Sequence, residues 1–397
     1  MSNTVNKPEF STFSTGFSPN SEVVANRVWK YSVENVENAI RFQLKKLGCS
    51  DMFKDKRVAI KPNLVMKKSP EAAATTHPIV LEAMLRILKE SAADIVIAES
   101  PPGVYTESAL KGFYNACGIT EVAERYSVRL NFDTSSREVS IPYATSAHMF
   151  ELITPMLDAD VIVNLAKLKS HALTKFSGTV KNYFGTVPGI TKVETHARFP
   201  DYGDFVSMLV DLCSYFAFSK PTFNILDGIL AMEGNGPTGG DARELGWLLS
   251  GLNPYNVDIV GAKLIGFDDV MMLNEAIKRG YAVSEPPVYG DPLEIVENFK
   301  LPDTSGSTSA LEWLSKAFGG RLYKWLQPRP GVSTNMCISC GECVRSCPQK
   351  TIRIVEGKKR HALIDDSGCI KCYCCQEMCP VKAVRIKKNP IMKLLGG

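Results

Sequence analysis

The chain has 397 residues, of which 45% are hydrophobic and 22% are charged. This composition is typical of a globular protein with a sizeable core, and the length allows one large and one small domain. The net charge of +4 is too small to indicate a nucleic-acid partner. No stretch approaches the roughly 20 apolar residues that span a bilayer. Residues 1–22 lack the apolar segment of a signal peptide, so we expect a cytoplasmic protein with no membrane span.

Helix and strand signals alternate along most of the chain. Apolar residues recur at helical spacing from Asn35 to Leu47, and Gly48 then ends this helix. The run Asp160–Leu165 is apolar enough to be covered on both faces of a parallel sheet. The alternation predicts an α/β fold with an open, mostly parallel sheet. The other predicted strands are Arg57–Ile60, Asp94–Ala98, Val128–Phe132, Val139–Tyr143, Phe223–Leu226 and Trp247–Leu249. The other predicted helices lie near 78–88, 109–117, 208–216 and 256–267, and residues 166–204 form a long polar segment that contains several glycines.

Composition divides the chain into four parts. Residues 1–22 are rich in Ser, Thr and Asn and predict a flexible arm, followed by the α/β domain at 23–283. Residues 284–330 are rich in Pro, Gly, Ser and Asp and predict a connecting segment that contains a helix at Leu311–Leu326. The remaining residues, 331–390, predict a small α+β domain.

Polar residues collect where the predicted strands end. Lys61 and Asn63 follow one strand, and the segment after Leu165 contains Lys167, Lys169, His171, Lys181 and Asn182. In open α/β sheets ligands bind beyond the carboxyl ends of the strands. Lysines can hold phosphate or carboxylate groups, and a histidine can move protons near neutral pH. The sequence therefore predicts an anion site here, and the alternative is a solvated surface loop.

A group of acidic residues follows the strand that ends at Leu226. Asp227, Glu233 and Asp241 could bind a divalent ion through oxygen, or act as acid and base. The alternative is that these carboxylates only cap loop amides. The intervening segment Gly234–Gly239 fits G-x-G-x-x-G, but Pro237 interrupts it and no helix is predicted after it, so a dinucleotide site is not indicated.

Eight of the twelve cysteines form two copies of one motif near the end of the chain. Cys337, Cys340, Cys343 and Cys347 read C-x2-C-x2-C-x3-C and precede Pro348, and Cys369, Cys372, Cys375 and Cys379 repeat the pattern before Pro380. This spacing is typical of bacterial ferredoxins with two [4Fe–4S] clusters, and thiolate is the ligand that iron–sulfur clusters prefer. A pair of zinc sites is the alternative, although zinc sites usually separate their C-x2-C pairs by a longer loop. We expect a ferredoxin-type domain in a reducing compartment.

The two motifs are offset by 32 residues throughout, which indicates an internal duplication. In such domains the fourth cysteine of each motif serves the other cluster. The duplication predicts that Cys374, which falls opposite Glu342, is not a ligand. The predicted ligands are Cys337, Cys340, Cys343 and Cys379 for the first cluster, and Cys369, Cys372, Cys375 and Cys347 for the second.

Several separated motifs of the α/β part resemble the uncharacterised family called "domain of unknown function 362". The matching segments occur in order between about Arg57 and Phe267: Lys61-Pro62-Asn63, Thr75-Thr76-His77-Pro78, Ala166–His171, Lys181–Gly185 and Asp227–Pro237. Members of this family often carry a ferredoxin tail, so the resemblance implies the same two-part architecture. The family brings no settled reaction.

These observations predict an iron–sulfur electron-transfer protein with a redox partner protein. As an oxidoreductase it would deliver electrons to a small anionic substrate or cofactor at the strand ends. Lys61, Asn63, Lys167, Lys181 and Asn182 would bind this ligand, with His171, Lys169, Asp227 and Glu233 as catalytic residues. A flavin or a divalent metal ion could be a further cofactor. The alternative is a non-enzymatic electron carrier whose α/β domain docks a larger redox complex.

Overall fold

The computed structural model describes residues 15–304 and 327–387. The predicted helix at Leu311–Leu326 lies outside these residues. In chain order the described strands are β1 (Val23–Arg27), β2 (Arg57–Lys61), β3 (Asp94–Ile97), β4 (Arg129–Leu130), β5 (Ser136–Ser140), β6 (Met149–Ile153), β7 (Val161–His171), β8 (Lys175–Ser177), β9 (Thr222–Glu233), β10 (Asp241–Gly251), β11 (Val288–Gly290), β12 (Arg329–Val332), β13 (Ile352–Val355), β14 (His361–Ile364) and β15 (Val384–Lys387).

The described α-helices cover both faces of the large sheet and add one short turn to each cysteine motif. They are α1 (Val33–Lys46), α2 (Pro78–Leu88), α3 (Glu107–Ala116), α4 (Ile119–Arg125), α5 (Thr154–Asp158), α6 (Thr179–Asn182), α7 (Gly189–Arg198), α8 (Tyr202–Ser219), α9 (Pro254–Leu264), α10 (Met271–Lys278), α11 (Glu342–Arg345) and α12 (Cys374–Glu377). None of these helices is long and apolar enough to cross a membrane.

Nine strands form one mixed sheet in the order β11-β1-β10-β9-β7-β2-β3-β4, with β8 paired to the end of β7. The pairs β9–β7, β7–β2, β2–β3 and β3–β4 are parallel, whereas β10 runs antiparallel to both of its neighbours. The predicted mostly parallel α/β sheet is therefore confirmed. The predicted strand at Val139–Tyr143 corresponds to β5, which pairs with β6 outside this sheet.

Alternate residues of the central strands belong to different cores. Val58 and Ile60 of β2 pack in one apolar cluster and Ala59 in the other. Because successive side chains of a strand point to opposite faces, the sheet is covered on both sides. The described part of the predicted N-terminal arm also packs on this body, because Phe17 is only 6% exposed and its ring lies 4.7 Å from that of Phe218.

Local sequence explains where several helices begin. The side chain of Ser32 accepts a hydrogen bond from the backbone N–H of Asn35 and caps α1. At the start of α2 the ring of His77 accepts from the backbone N–H of Ile79, and Pro78 occupies the first helical position. These contacts place His77 at a helix start.

The cysteine-rich part repeats its own structure with the 32-residue offset of its sequence. Helices α11 and α12 occupy equivalent positions in the two motifs, and so do strands β13 and β15. The unusual left-handed backbone conformation recurs at the same offset, at Ser339 and Lys371 and again at Lys350 and Lys382. The duplication read from the cysteines therefore extends to the backbone.

Candidate functional site

The polar segment after Leu165 continues the central strand. Strand β7 runs on to His171, and every one of its residues is buried. Lys167, Lys169 and His171 alternate along β7, so their side chains share one face of the sheet. Each is only 1% exposed. The polar residues thus form a buried layer at the carboxyl edge of the sheet, and the alternative of a solvated loop does not apply to them.

Two buried ion pairs anchor this edge. Lys61 contacts Glu99, which follows β3. Lys167 lies opposite Asp227 in the register of β7 and β9, and its Nζ donates to Asp227 Oδ2 at 2.8 Å and to Tyr31 Oη at 2.7 Å. The Tyr31 hydroxyl in turn donates to Asp227 Oδ1 at 2.8 Å. Burial lowers the pKa of both lysines, and the paired carboxylates oppose this effect.

Among the residues that the structure describes, no carboxylate hydrogen-bonds Lys169. Its Nζ donates to Asn63 Oδ1 at 2.6 Å and to the Ala74 carbonyl at 2.8 Å. Asn63 continues a chain of amides, donating to Asn182 Oδ1 at 3.0 Å, and Asn182 donates to Asn164 Oδ1 at 2.7 Å. Burial, together with the charges of Lys181 and Lys167, holds the pKa of Lys169 well below its usual range. Lys169 is therefore a buried amine that neutral oxygens hold in place.

Two further lysines add positive charge to the same region. Burial lowers the pKa of Lys169, His171 and Lys192, and the charge of Lys181 lowers each of these pKa values further. Lys192 of α7 is 6% exposed and donates to the carbonyl of Ser100. Burial lowers the pKa of Lys192 to about 7, and the charge of Lys61 adds to this shift. Lys192 was not predicted from the sequence.

A carboxylate from the cysteine-rich domain reaches this group. Glu377 Oε1 lies 3.4 Å from His171 Nε2. The other ring nitrogen of His171 accepts from the backbone N–H groups of Leu173 and Thr174 at 3.1 and 3.3 Å. Neutral His171 therefore carries its proton on Nε2, which faces Glu377. Burial raises the pKa of Glu377, whereas the charges of Lys181 and Lys169 lower it.

Other contacts between the domains surround this pair. The loop between β9 and β10 accepts hydrogen bonds from Gln376 at Asn235 O and from Lys382 at Gly240 O, both at 3.0 Å. In the opposite direction, Thr238 Oγ1 donates to the Glu377 carbonyl at 2.7 Å. The G-x-G-x-x-G segment is thus part of a hairpin loop that supports α12, and it does not open a helix.

The three predicted acidic residues do not come together. Glu233 follows Met232, which is opposite Lys169 in the sheet, so its side chain projects from the other face. Arg243 binds Glu233 at 2.8 Å, and Lys300 lies 3.2 Å from Glu233 and 3.7 Å from Asp241. Asp227 is held by Lys167. The predicted catalytic role of Glu233 beside His171 and the predicted divalent-metal site are therefore not supported by the geometry.

The eight motif cysteines line two cavities. The first is lined by Cys337, Cys340, Cys343 and Cys379. The second is lined by Cys347, Cys369, Cys372 and Cys375. Cys374 lines neither cavity. Each cavity combines three cysteines of one motif with the fourth of the other, as the duplication predicts.

The chemistry of these cavities fits iron–sulfur clusters better than zinc. Zinc needs its thiolates about 2.3 Å from one centre. Within residues 15–304 and 327–387, no three His, Cys, Asp or Glu side chains converge in this way. Backbone N–H groups donate to sulfur at equivalent positions, from Thr351 to Cys347 at 3.3 Å and from Ala383 to Cys379 at 3.1 Å. Such N–H···S bonds are a feature of cluster sites, where they adjust the reduction potential.

Comparisons with known proteins agree with both parts of this architecture. Residues 58–263 match the family described as "Domain of unknown function (DUF362)", and residues 336–383 match the "4Fe-4S dicluster domain". A similar protein is the "Thylakoid-associated protein sll1697" of Synechocystis sp. (strain ATCC 27184 / PCC 6803 / Kazusa), which is 30% identical over 289 residues, 70% of this chain and 86% of the relative. No solved structure matches the chain significantly.

The 4Fe-4S dicluster domain confirms an iron–sulfur protein of the electron-transfer class, which acts with a redox partner. The described residues identify no flavin, and the predicted cytoplasmic location stays a prediction. The family match spans half of the chain and includes Lys61, Lys167, Lys169 and His171. The chain therefore belongs to the DUF362 family and carries a C-terminal 4Fe-4S dicluster domain.

Proposed function

We propose that the chain is an iron–sulfur oxidoreductase that delivers electrons to a small anionic substrate or cofactor at the carboxyl edge of the sheet. The contact between His171 and Glu377, at 3.4 Å, carries this proposal. Glu377 is only two residues from Cys375, which lines the second cysteine cavity. His171, at the end of the strand that carries Lys167 and Lys169, thus lies directly against helix α12 of the cysteine-rich domain.

The two cavities are proposed to hold one [4Fe–4S] cluster each, with the four cysteines named for each cavity as ligands. When bound, the clusters supply one-electron transfer. The chain's own residues supply the rest of the site. The rigid sheet edge positions the ligand groups, and the contacts of Gln376, Lys382 and Thr238 hold α12 against this edge.

An excess of positive charge supports an anionic ligand. The ammonium groups of Lys61 and Lys167 are paired with Glu99 and Asp227. Three more lysines add charge to the region. The charge of Glu377 acts on Lys169 and Lys181, whereas the carboxylate that acts on Lys192 is Glu99, which is already paired with Lys61. Burying uncompensated charge is costly, so a bound anion would stabilise this arrangement.

Each residue of the edge receives a specific role in this proposal. Lys169 and Lys181 bind the anion, and Asn63 with Asn182 fixes the position of Lys169 through the amide chain. The Nε2–H of His171 donates a hydrogen bond to the ligand and so stabilises the negative charge that reduction adds to it. Glu377 occupies the place where the anion would contact His171, so α12 must move slightly for the ligand to bind.

The non-enzymatic alternative requires these lysines to face an acidic partner protein. Lys61, Lys167 and Lys169 are at most 1% exposed, so a protein surface cannot reach them without opening the structure. Their burial favours a small ligand over a docked protein.

A single-turnover experiment tests the proposal. Protein purified without oxygen is reduced with dithionite, freed of excess reductant, and mixed with fractions of a small-molecule cell extract separated by anion exchange. We expect a retained, anionic fraction to restore the visible absorbance of the oxidised clusters in the natural chain and not in Lys169→Met or His171→Asn. Ferricyanide should reoxidise all three proteins at the same rate. Equal rates for the three proteins with every extract fraction would contradict the proposal.

A further inference from the structure

The cysteine-rich domain is basic, although the chain as a whole is nearly neutral. Residues 327–387 contain 11 Lys and Arg against 5 Asp and Glu, a net charge of +6. The rest of the chain has 35 Lys and Arg against 37 Asp and Glu, a net charge of −2. The charge is therefore separated between the two parts of the molecule.

Part of this charge surrounds the loop of residues 335–340, which carries Cys337 and Cys340 of the first cavity. Four exposed basic residues contact this loop, and we call them the basic rim: Arg345, Lys359, Arg360 and Arg385. Arg345 donates to the Cys340 carbonyl at 3.0 Å, and Lys359 donates to the Asn335 carbonyl at 2.7 Å. The carbonyl of Arg360 accepts from Ser339 at 2.6 Å, and Arg385 lies 3.0 Å from the sulfur of Met336.

The centre of the rim is apolar and open. Ile338 is 58% exposed, and Cys340 is exposed as well. Two acidic residues partly offset the rim, since Glu342 pairs with Arg345 at 2.6 Å and Glu356 with Arg360 at 3.3 Å. Lys359 and Arg385 leave an excess of positive charge around the exposed edge of the first cavity. In contrast, α12 of the second motif is covered by the α/β domain.

We propose that the basic rim and Ile338 form the docking surface for an acidic one-electron carrier protein. This proposal rests on the proposed function, because the docked carrier supplies the electrons that are delivered to the ligand at the carboxyl edge of the sheet. In each encounter the reduced carrier loses one electron and the chain gains one, and no bond or proton is exchanged. Complementary charge speeds association by about 10- to 1,000-fold at low salt, and an apolar centre provides the contact that excludes water.

The charge and the exposed cavity edge favour a protein carrier over other anionic partners. A nucleic acid or an anionic lipid surface would need only the positive charge, whereas electron exchange also needs the partner close to the cysteine cavity. The rim meets both requirements because its residues contact the loop that carries Cys337 and Cys340.

Binding measurements on the cluster-loaded protein test this proposal. The probes are two acidic carriers, a flavodoxin and a plant-type ferredoxin, measured by calorimetry and stopped-flow mixing at 20 and 200 mM salt without oxygen. We expect both carriers to bind at low salt and to lose most of their affinity at high salt. The association rate should be about tenfold lower for the variant that combines Lys359→Gln with Arg360→Gln. The matched control, Lys54→Gln combined with Lys56→Gln, removes the same charge from exposed positions of the α/β domain and should bind as the natural chain does.

Three outcomes would overturn the docking surface. The first is that neither carrier binds at 20 mM salt. The second is that the association rate falls equally in the rim variant and in the control variant. The third is that vesicles containing phosphatidylglycerol bind the rim more tightly than either carrier does. Iron content must be equal in all variants. The Lys169→Met variant separates the two proposals, because it should bind the carriers normally even though it fails in the single-turnover experiment.

Discussion

Replacing Asp227 with Asn should destabilise the α/β domain strongly, because it removes the charge partner of a fully buried lysine. The side chains of Lys167 and Asp227 are both 0% exposed, and their contact is 2.8 Å. Removing one partner of a buried ion pair costs about 3–5 kcal/mol, since the remaining charge stays buried and unpaired. An asparagine keeps the size of the side chain and can still hydrogen-bond Tyr31. The decrease in the free energy of unfolding therefore measures mainly the effect of removing the charge.

Urea unfolding followed by the fluorescence of Trp247, which is buried in the α/β core, measures this effect. The control is Asp160→Asn, which removes the partner of Arg57 from an ion pair of 2.7 Å whose side chains are 60% and 37% exposed. That change should cost at most about 1 kcal/mol. The double variant Lys167→Met with Asp227→Leu should recover most of the loss. A loss below about 1 kcal/mol for Asp227→Asn would refute the reasoning, because it would mean that water reaches Lys167 or that Lys167 is neutral.

Three further predictions concern the pH dependence of stability, the iron content and the melting temperature. Burial lowers the pKa of Lys192 to about 7, so between pH 7 and 10 the unfolded chain binds the proton of this ammonium group more tightly than the folded chain does. The free energy of unfolding should therefore rise with pH in this window, by up to about 1.4 kcal/mol per pH unit. The Lys192→Met variant should lack this pH dependence. Reconstitution of the clusters without oxygen should give about eight iron atoms per chain. Cys374→Ser should leave this number unchanged, whereas Cys375→Ser should lower it by about half. A loss of iron in Cys374→Ser would contradict the ligand assignment. A Cβ atom at Gly185 would overlap the Lys61–Glu99 ion pair; Gly185→Ala should therefore lower the melting temperature by several degrees, and an unchanged melting temperature would show that the pair is free to move.

The cysteine-rich domain was predictable because its chemistry is local in sequence. Ligand spacing within each motif fixes one loop, and the 32-residue offset assigns Cys347 and Cys379 to opposite cavities. The parallel sheet was predictable because apolar runs of strand length alternate with helical patterns. Both kinds of signal depend on residues that are close together in the chain.

The buried edge was harder to predict because its polar residues look like a solvated loop. The apolar run stops at Leu165, and only the alternation of Lys167, Lys169 and His171 indicates that the strand continues. The contributions of Tyr31 and Glu377 depend on contacts across 196 and 206 positions of the chain, and no spacing rule indicates such pairs. For the same reason the sequence grouped Glu233 with Asp227, although the register of β9 places Glu233 on the other face.

The most direct test of the central claim is native mass spectrometry of the cluster-loaded protein after incubation with the anionic extract fraction under nitrogen. We predict a species with the mass of the chain, two four-iron clusters and one small anion, and loss of only the anion in Lys169→Met. If the natural chain and Lys169→Met both show only the mass of the chain and its clusters, the result would contradict the claim that the buried lysines at the carboxyl edge of the sheet bind the electron acceptor.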